Sequence, residues 1–486
     1  MTTSPPPPDR LPDGFVVRLA PATRQRDGGT TLLGGSPFRQ LRLSPAARPL
    51  LRDGRVEVTD ARTAALAARL LDTGIADPEV SLAAPVPVVT VIVPVKDRTD
   101  GLTRLLAALR ADPGTAGCPV VVVDDGSAAP AEVAAVAAGT RLLRHERARG
   151  PAAARNAGLR VAGTELVAFL DSDCVPAPGW LARLAGHLAD PRVALVAPRI
   201  TALDGDAGSS WVARYEAVTS ALDMGPVATR VAPLTAVSYV PSAALLARRA
   251  ALGDGFDESM QVAEDVDLVW RLAAAGWRVR YEPAAQVAHD HRVAPGDWLR
   301  RRAFYGTGAA LLAQRHGPAV APVVLSPWSA AAWALALTGR PLGLAAAGGV
   351  LGTASVQLAR RLGAPGSRPP YGLAASLVLR GTTASGRTLA RAVTRHHWPL
   401  ALAAAVASRK ARRLVAAIAV ADATDGWWPH RQEVGLATFA AGRRLEDLGY
   451  GAGLWLGAVR ARSGAALRPV APPPIQQPGT GQRPTR

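Results

Sequence analysis

Between residues 88 and 171 the chain alternates short apolar runs with longer amphipathic ones. Residues 88–95 (VVTVIVPV) are apolar and mostly β-branched, the pattern of a strand buried on both faces. A helical periodicity follows over 99–112, then a second strand at 119–125 (PVVVVDD) ending in Gly126-Ser127. An Ala-rich helix, a strand near 140–145, a helix opened by Gly150-Pro151 and a strand at 165–171 (ELVAFLD) complete the series. Strand and helix alternating four times over roughly 80 residues predict a parallel, doubly wound α/β sheet with right-handed crossovers. Ligands on such sheets bind beyond the carboxyl ends of the strands.

The flanks read differently. A Pro-rich tail over 1–11 is expected to be disordered, and the alternation at Phe15, Val17 and Leu19 with the turn LGGSP predicts a small α/β or winged-helix module over 12–80. Residues 77–87 read as the linker to a catalytic-size domain over 88–316. Residues 317–339 carry no charge for 23 positions, and 341–359 none for 19 more, each close to the ~20 residues that span a bilayer. Arg315 before and Arg360-Arg361 after them would put both ends of a hydrophobic helical hairpin (317–360) on the cytoplasmic side. Two buried Ala-rich helices of a soluble cytoplasmic protein would read alike. Residues 361–470 predict a helical, Ala-rich C-terminal region, 471–486 a disordered tail, and no internal repeat is visible.

Composition narrows the classes. With 49% hydrophobic residues in 486 the chain is too apolar to be disordered. Cys118 and Cys174 have no Cys or His at metal-ligand spacing, which argues against a disulfide scaffold or zinc module. The start, MTTSPPPPDR, has no basic-then-apolar signal pattern, so no N-terminal export is expected. The net charge of +18 is carried by arginines spread along the chain, without a basic run interleaved with aromatics; it suits an anionic membrane face or a phosphorylated substrate better than nucleic acid.

The candidate chemistry sits at the predicted strand ends. Asp97, Asp124, Asp125, Asp171 and Asp173 all fall there. Asp171-Ser172-Asp173 puts two carboxylates at i and i+2, suited to Mg²⁺ or Mn²⁺ with positions left for phosphate oxygens. Arg149–Leu159 (RGPAAARNAGL) combines a helix N-terminus with Arg155, a combination that holds anions; neither a P-loop nor a GxGxxG fingerprint is present. Glu264-Asp265 opens a helix in which Asp267 and Arg271 read as a solvated i,i+4 pair; Asp265 suits either a general base toward a hydroxyl or an acidic first turn favoured by the helix dipole. His289 and His291 share one face of a strand end, where one is a plausible third metal ligand, and Trp298–Gly306 (WLRRRAFYG) gives a basic, aromatic helix suited to a phosphate or a membrane surface.

Six ordered blocks, VIVPVKDR, VVVDDGS, RGPAAARNAGL, FLDSDC, GFDE and AEDVDLVWRL, resemble the family 2, GT-A fold glycosyltransferases over residues 88–316. The resemblance implies a nucleotide-sugar donor, a divalent metal, inversion at the anomeric carbon and a β-linked product. It implies that Asp97, Asp124 and Asp125 contact the nucleoside, Arg155 the diphosphate region, and Asp171 and Asp173 the ribose and metal. Asp265, with Glu264 beside it, would be the catalytic carboxylate. With the N-terminal module (LPDGFVVRLAP, LLGGSPFRQLRLS), HDHR and RRRAFYGTGAALL, the chain resembles more narrowly the mycofactocin biosynthesis glycosyltransferases of actinobacteria. That implies UDP-glucose as donor and a peptide-derived redox cofactor precursor as acceptor. The QxxRW signature of processive synthases is absent, which argues against long polymers.

Overall fold

A computed structural model describes residues 3, 5–7, 9–81, 86–203, 210–291, 293–363 and 368–471. The tail expected at 471–486 lies outside these residues from 472 on. At the other end the expected tail is shorter than 1–11, because Leu11 is buried in the N-terminal core with Val17, Leu70 and Ile75.

The N-terminal module is the small α/β alternative. Two three-stranded antiparallel sheets, Arg55–Glu57/Val16–Leu19/Ala76–Pro78 and Arg24–Arg26/Thr31–Gly34/Arg39–Arg42, accompany one α-helix, Ala61–Thr73. A capping box starts that helix, Asp60 accepting from the Thr63 amide and Thr63 from the Asp60 amide. The module is fastened to the main domain by buried arginines: Arg278 reaches Asp72 and Asp190 at 2.8 and 2.6 Å, and Arg280 reaches Asp77 at 2.6 Å.

The main domain is a GT-A-type α/β fold around a mixed nine-stranded sheet. Val89–Val95, Val120–Asp124 and Leu166–Leu170 are parallel neighbours, as their β-branched and apolar runs predict, and the largely exposed Arg141–Arg144 (RLLR) adds a parallel edge strand beside Val120–Asp124. The sheet then turns mixed: Ala244–Arg248 runs antiparallel to Leu166–Leu170, and Val193–Ala202 runs antiparallel to Ala244–Arg248 and parallel to Arg278–His289. The short strand Cys174–Pro176 pairs antiparallel with the end of Arg278–His289, so that Cys174 opposes His289. This register carries the turn after Leu170 to the tip of a strand more than 100 residues away.

The C-terminal region is helical and packs on the domain through Pro295–His316 and Leu436–Arg460. The two helices touch backbone to backbone, and a Cβ at Gly453 would fall 1.7 Å from the Ala303 carbonyl oxygen. Beneath them lies a buried ionic network, in which Arg391 meets Asp447, Arg395 meets Glu446, and Arg443 and Arg444 meet Asp422. Burial alone would raise the Glu446 carboxyl, but Arg395, Arg302 and Arg391 hold it down to about 2.

Of the two uncharged stretches, only the second forms one long helix. Residues 317–339 hold a 3₁₀ turn, a short bridge to Val470 and the ten-residue helix Pro327–Ala336, about 15 Å long and half of what the hydrocarbon core requires. Pro341–Leu362 is long and apolar enough to cross a membrane. Its last carbonyls are capped from the N-terminal module, Arg42 donating to Gly363 O at 2.6 Å and Gln40 to Leu362 O at 3.2 Å.

Candidate active site

Arg155 organises the site. It lies one turn into the helix Pro151–Val161, is 3% exposed, and donates from Nη2 to Asp171 Oδ1 at 2.6 Å and from Nη1 to Glu264 Oε1 at 3.1 Å. Its guanidinium also covers the Phe256 ring at 5.4 Å. One buried cation therefore joins the strand-end DSD turn to the first turn of the helix Glu264–Ala274. The guanidinium faces carboxylates, not the open cleft that a group gripping a diphosphate directly would face. Next to it, Asn156 exchanges two hydrogen bonds with the Phe256 backbone, at 2.8 and 2.9 Å, and donates to Glu258 at 3.1 Å. Gly255, φ +80°, leaves room for this, since a Cβ there would sit 2.3 Å from Asn156 Oδ1.

Glu264 and Asp265 differ in their surroundings although adjacent. Burial, and then the neighbouring Asp265 charge, push the Glu264 carboxyl up to about 7 against the pull of Arg155. Asp265 accepts from the backbone amides of Ser242 and Val266, at 3.1 and 2.8 Å; burial raises it and those amides oppose the rise. Ala263, which starts the helix, holds φ 64°, a left-handed conformation costly for a residue with a Cβ. Two turns of chemistry are thereby separated: Glu264 points inward to Arg155, and the half-buried Asp265 lies against the Ser242 loop.

Asp173 lies two residues beyond Asp171 in the same strand-end turn. Its Oδ2 accepts from Arg98 Nη1 at 2.7 Å, and its Oδ1 is 3.3 Å from His289 Nε2. His289 Nδ1 meets His291 Nδ1 at 3.0 Å, while His291 Nε2 is buried and, among the described residues, has no hydrogen-bond partner. Burial, then His289 and Arg302, lower the His291 imidazole to about 4, so it is neutral at neutral pH. No group of three or more His, Cys, Asp or Glu fit to hold a metal occurs among the described residues. An oxygen and an imidazole nitrogen side by side nevertheless fit a divalent cation whose other positions come from a diphosphate. Asp171 is turned to Arg155 rather than to His289.

Asp97, Asp124 and Asp125 hold the strand-end loops. Asp97, at φ 56°, accepts from the Ala128 amide at 2.7 Å; Asp124 accepts from the Ser127 amide and from Arg144; Asp125 accepts from the Arg149 and Gly150 amides and meets His145 at 2.8 Å. Arg98 and His145 were not singled out from the sequence, although Arg98 stands inside the VKDR block.

The WLRRRAFYG helix is divided by its periodicity. Arg302 turns inward to Glu216, which also accepts from Trp298 Nε1 at 2.7 Å, whereas Arg301 lies over the Tyr305 ring and donates to its hydroxyl at 2.8 Å. Arg301, Tyr305, His291, His289 and Asp173 line one small cavity of about 60 Å³, room for a few waters or phosphate oxygens. The Asp267–Arg271 pair, expected to be solvated, is buried: Asp267 is 1% exposed and also meets His316 at 2.9 Å. Burial alone would raise that carboxyl, but His316, Arg271 and Arg315 hold it at about 2.

Residues 90–253 match the family model described as "Glycosyl transferase family 2". Over 472 residues the chain is 46% identical to "Pre-mycofactocin glycosyltransferase" of Mycobacterium tuberculosis, covering 95% of this chain and 98% of that protein. The chain belongs to glycosyltransferase family 2. This family 2 glycosyltransferase is also 30% identical over 205 residues to "Succinoglycan biosynthesis protein ExoU" of Rhizobium meliloti, a match covering 40% of this chain and 58% of that protein. Among solved structures it is similar to "Mannosyltransferase PcManGT from Pyrobaculum calidifontis in complex with GDP-Man and Mn2+", at 21% identity and a TM-score of 0.39, over 76% of this chain and 89% of that one.

Proposed function

We propose that this glycosyltransferase moves glucose from UDP-glucose onto a mycofactocin precursor, with inversion, at the cytoplasmic face of the membrane, giving short β-linked products. The observation that carries this reading is 46% identity extending over 95% of the chain, so that the N-terminal module and the C-terminal helices are shared with the Mycobacterium tuberculosis pre-mycofactocin enzyme along with the catalytic domain. In the reaction the acceptor hydroxyl oxygen bonds to the anomeric carbon as the carbon–phosphate oxygen bond breaks. The departing UDP keeps the electron pair, and Asp265 receives the hydroxyl proton. Arg155 keeps Asp171 and Glu264 in register beneath that point, and Glu264, carrying a proton near neutral pH, limits the repulsion that a second carboxylate would exert on Asp265. Mn²⁺ or Mg²⁺ held by Asp173 and His289 would neutralise charge on the diphosphate. Arg301 faces the same cavity and adds positive charge there.

A second reading, transfer to a cell-wall or lipid-linked glycan, is favoured by the apolar Pro341–Leu362 helix, only 17% of whose most apolar window is buried. The test is UDP release by the purified enzyme with Mn²⁺ or Mg²⁺, over a panel of UDP-sugars, with and without a mycofactocin-type precursor. Release from UDP-glucose stimulated by the precursor is the expected result. Stimulation only by lipid-linked acceptors would favour the second reading, and stimulation by neither would overturn both.

A further inference from the structure

We infer that the helical hairpin made by Trp398–Ala407 and the first half of Arg409–Trp427 is a peripheral docking arm for an anionic lipid surface. This rests on the reading that the enzyme works at a membrane face, and it assigns the contact to a segment other than the uncharged stretches at 317–360. The helix Trp398–Ala407 (WPLALAAAVA) has no charged residue and no buried one. Leu400, Leu402 and Val406 are 58, 56 and 75% exposed, and on the partner helix Leu414 and Val420 are 41 and 66% exposed. The two helices pack on each other. Their base is rigid: Trp398 lies against Gly451 of the helix Leu436–Arg460, and Asp422 is gripped by Arg443 and Arg444. Their free end, at Ser408, carries Arg409, Lys410, Arg412 and Arg413, all exposed and, among the described residues, without an ion-pair partner.

Charge complementarity selects the occupant. Between Trp298 and Ala421 the chain has 16 Lys and Arg and none of its 38 Asp and Glu; Arg302, Arg391 and Arg395 are matched by buried carboxylates from outside this stretch, whereas the four basic residues at the free end of the hairpin are exposed. An apolar helix flanked by basic side chains suits the interface of an anionic bilayer, the aliphatic residues entering the acyl boundary while the arginines and lysine stay among the headgroups. Ten residues reach only about 15 Å, so the arm rests in one leaflet and does not span the bilayer.

The test is flotation of the full-length protein with vesicles of phosphatidylcholine alone and of phosphatidylcholine with phosphatidylglycerol. The wild type should float with the anionic vesicles and be released by high salt without detergent. R409E/K410E/R412E/R413E should keep its thermal melt and UDP release yet bind the anionic vesicles more than ~100-fold more weakly, at about five-fold for each basic residue. L400S/V406S, which leaves the charge intact, should bind initially and wash off at moderate salt. Equal binding by both variants, or a need for detergent to release the wild type, would overturn the arm while leaving a membrane location through Pro341–Leu362 intact. Failure of the wild type to bind either vesicle would overturn both and reassign the hairpin to a protein partner.

Discussion

Arg155→Met removes a buried cation and keeps most of its volume, so its effect is electrostatic. Breaking a buried pair by deleting one partner costs ~3–5 kcal/mol. Here the two stranded carboxylates differ: the Asp171 side chain is 29% exposed and stays partly hydrated, whereas that of Glu264 is 9% exposed and already titrates at about 7. Glu264 can therefore evade the loss by holding its proton. Without Arg155 its carboxyl rises by a further ~1–3 pH units. A buried acid with a raised pKa contributes stability that is present at low pH and lost as pH rises through the folded value, at up to ~1.4 kcal/mol per pH unit. Near pH 6 Glu264 is protonated in both proteins, leaving only the Asp171 share, about 1–2 kcal/mol; near pH 8 the total should reach about 3 kcal/mol. At ~2–4 °C per kcal/mol for a domain of this size, thermal melts of variant and wild type should differ by about 5 °C near pH 6 and about 10 °C near pH 8. A difference that stays constant between those two pH values would refute the assignment of Glu264 as the group that Arg155 restrains. Transfer should fall in Arg155→Met at all pH values, and more than binding of UDP does.

Asp265→Asn should lower acceptor-dependent transfer by ~10²–10⁴-fold while leaving UDP-glucose binding unchanged, as read by kinetics beside calorimetry. If Asp173 and His289 hold the metal as proposed, His289→Ala should raise the Mn²⁺ concentration for half-maximal turnover by roughly 10–100-fold, and unchanged metal dependence would exclude the pair. Asp267, held at about 2, contributes stability that is present above the ordinary carboxylate range and lost as pH falls toward 2; the melting temperature of Asp267→Asn should accordingly fall less steeply than that of the wild type as pH drops through this window. Gly453→Leu places a side chain where the Ala303 backbone stands, and the clash should outweigh the ~1 kcal/mol of helix propensity gained, lowering the melting temperature through separation of Pro295–His316 from Leu436–Arg460.

The doubly wound half of the sheet is written into the sequence locally. Runs such as VVTVIVPV and ELVAFLD can be satisfied only where both faces of a strand are covered, so period and β-branching identify them without knowledge of their neighbours. The strand-end carboxylates follow from the same strands, because a strand's end fixes where its next residues lie. What local pattern cannot encode is which distant segment meets those ends. The Arg155 bridge joins residues 109 positions apart in the chain, and His289 reaches Asp173 only because Cys174–Pro176 pairs with the end of Arg278–His289. Asp267 and Arg271 read as a surface pair because i,i+4 spacing is the same on a solvated helix and a buried one; His316, brought in by another helix, made the difference. The uncharged stretches illustrate the limit most plainly. Alanine is too weakly apolar to declare its own burial, so composition alone could not tell a span from a packed helix or an exposed arm. The sequence determined the four strands of the parallel half, their succession along the chain and their acidic ends, because those depend on residues within a few positions of one another. Tertiary structure alone decided which carboxylate keeps its proton, which one meets a histidine and which helix is left uncovered, because each depends on the desolvation and charge supplied by elements far away in the chain.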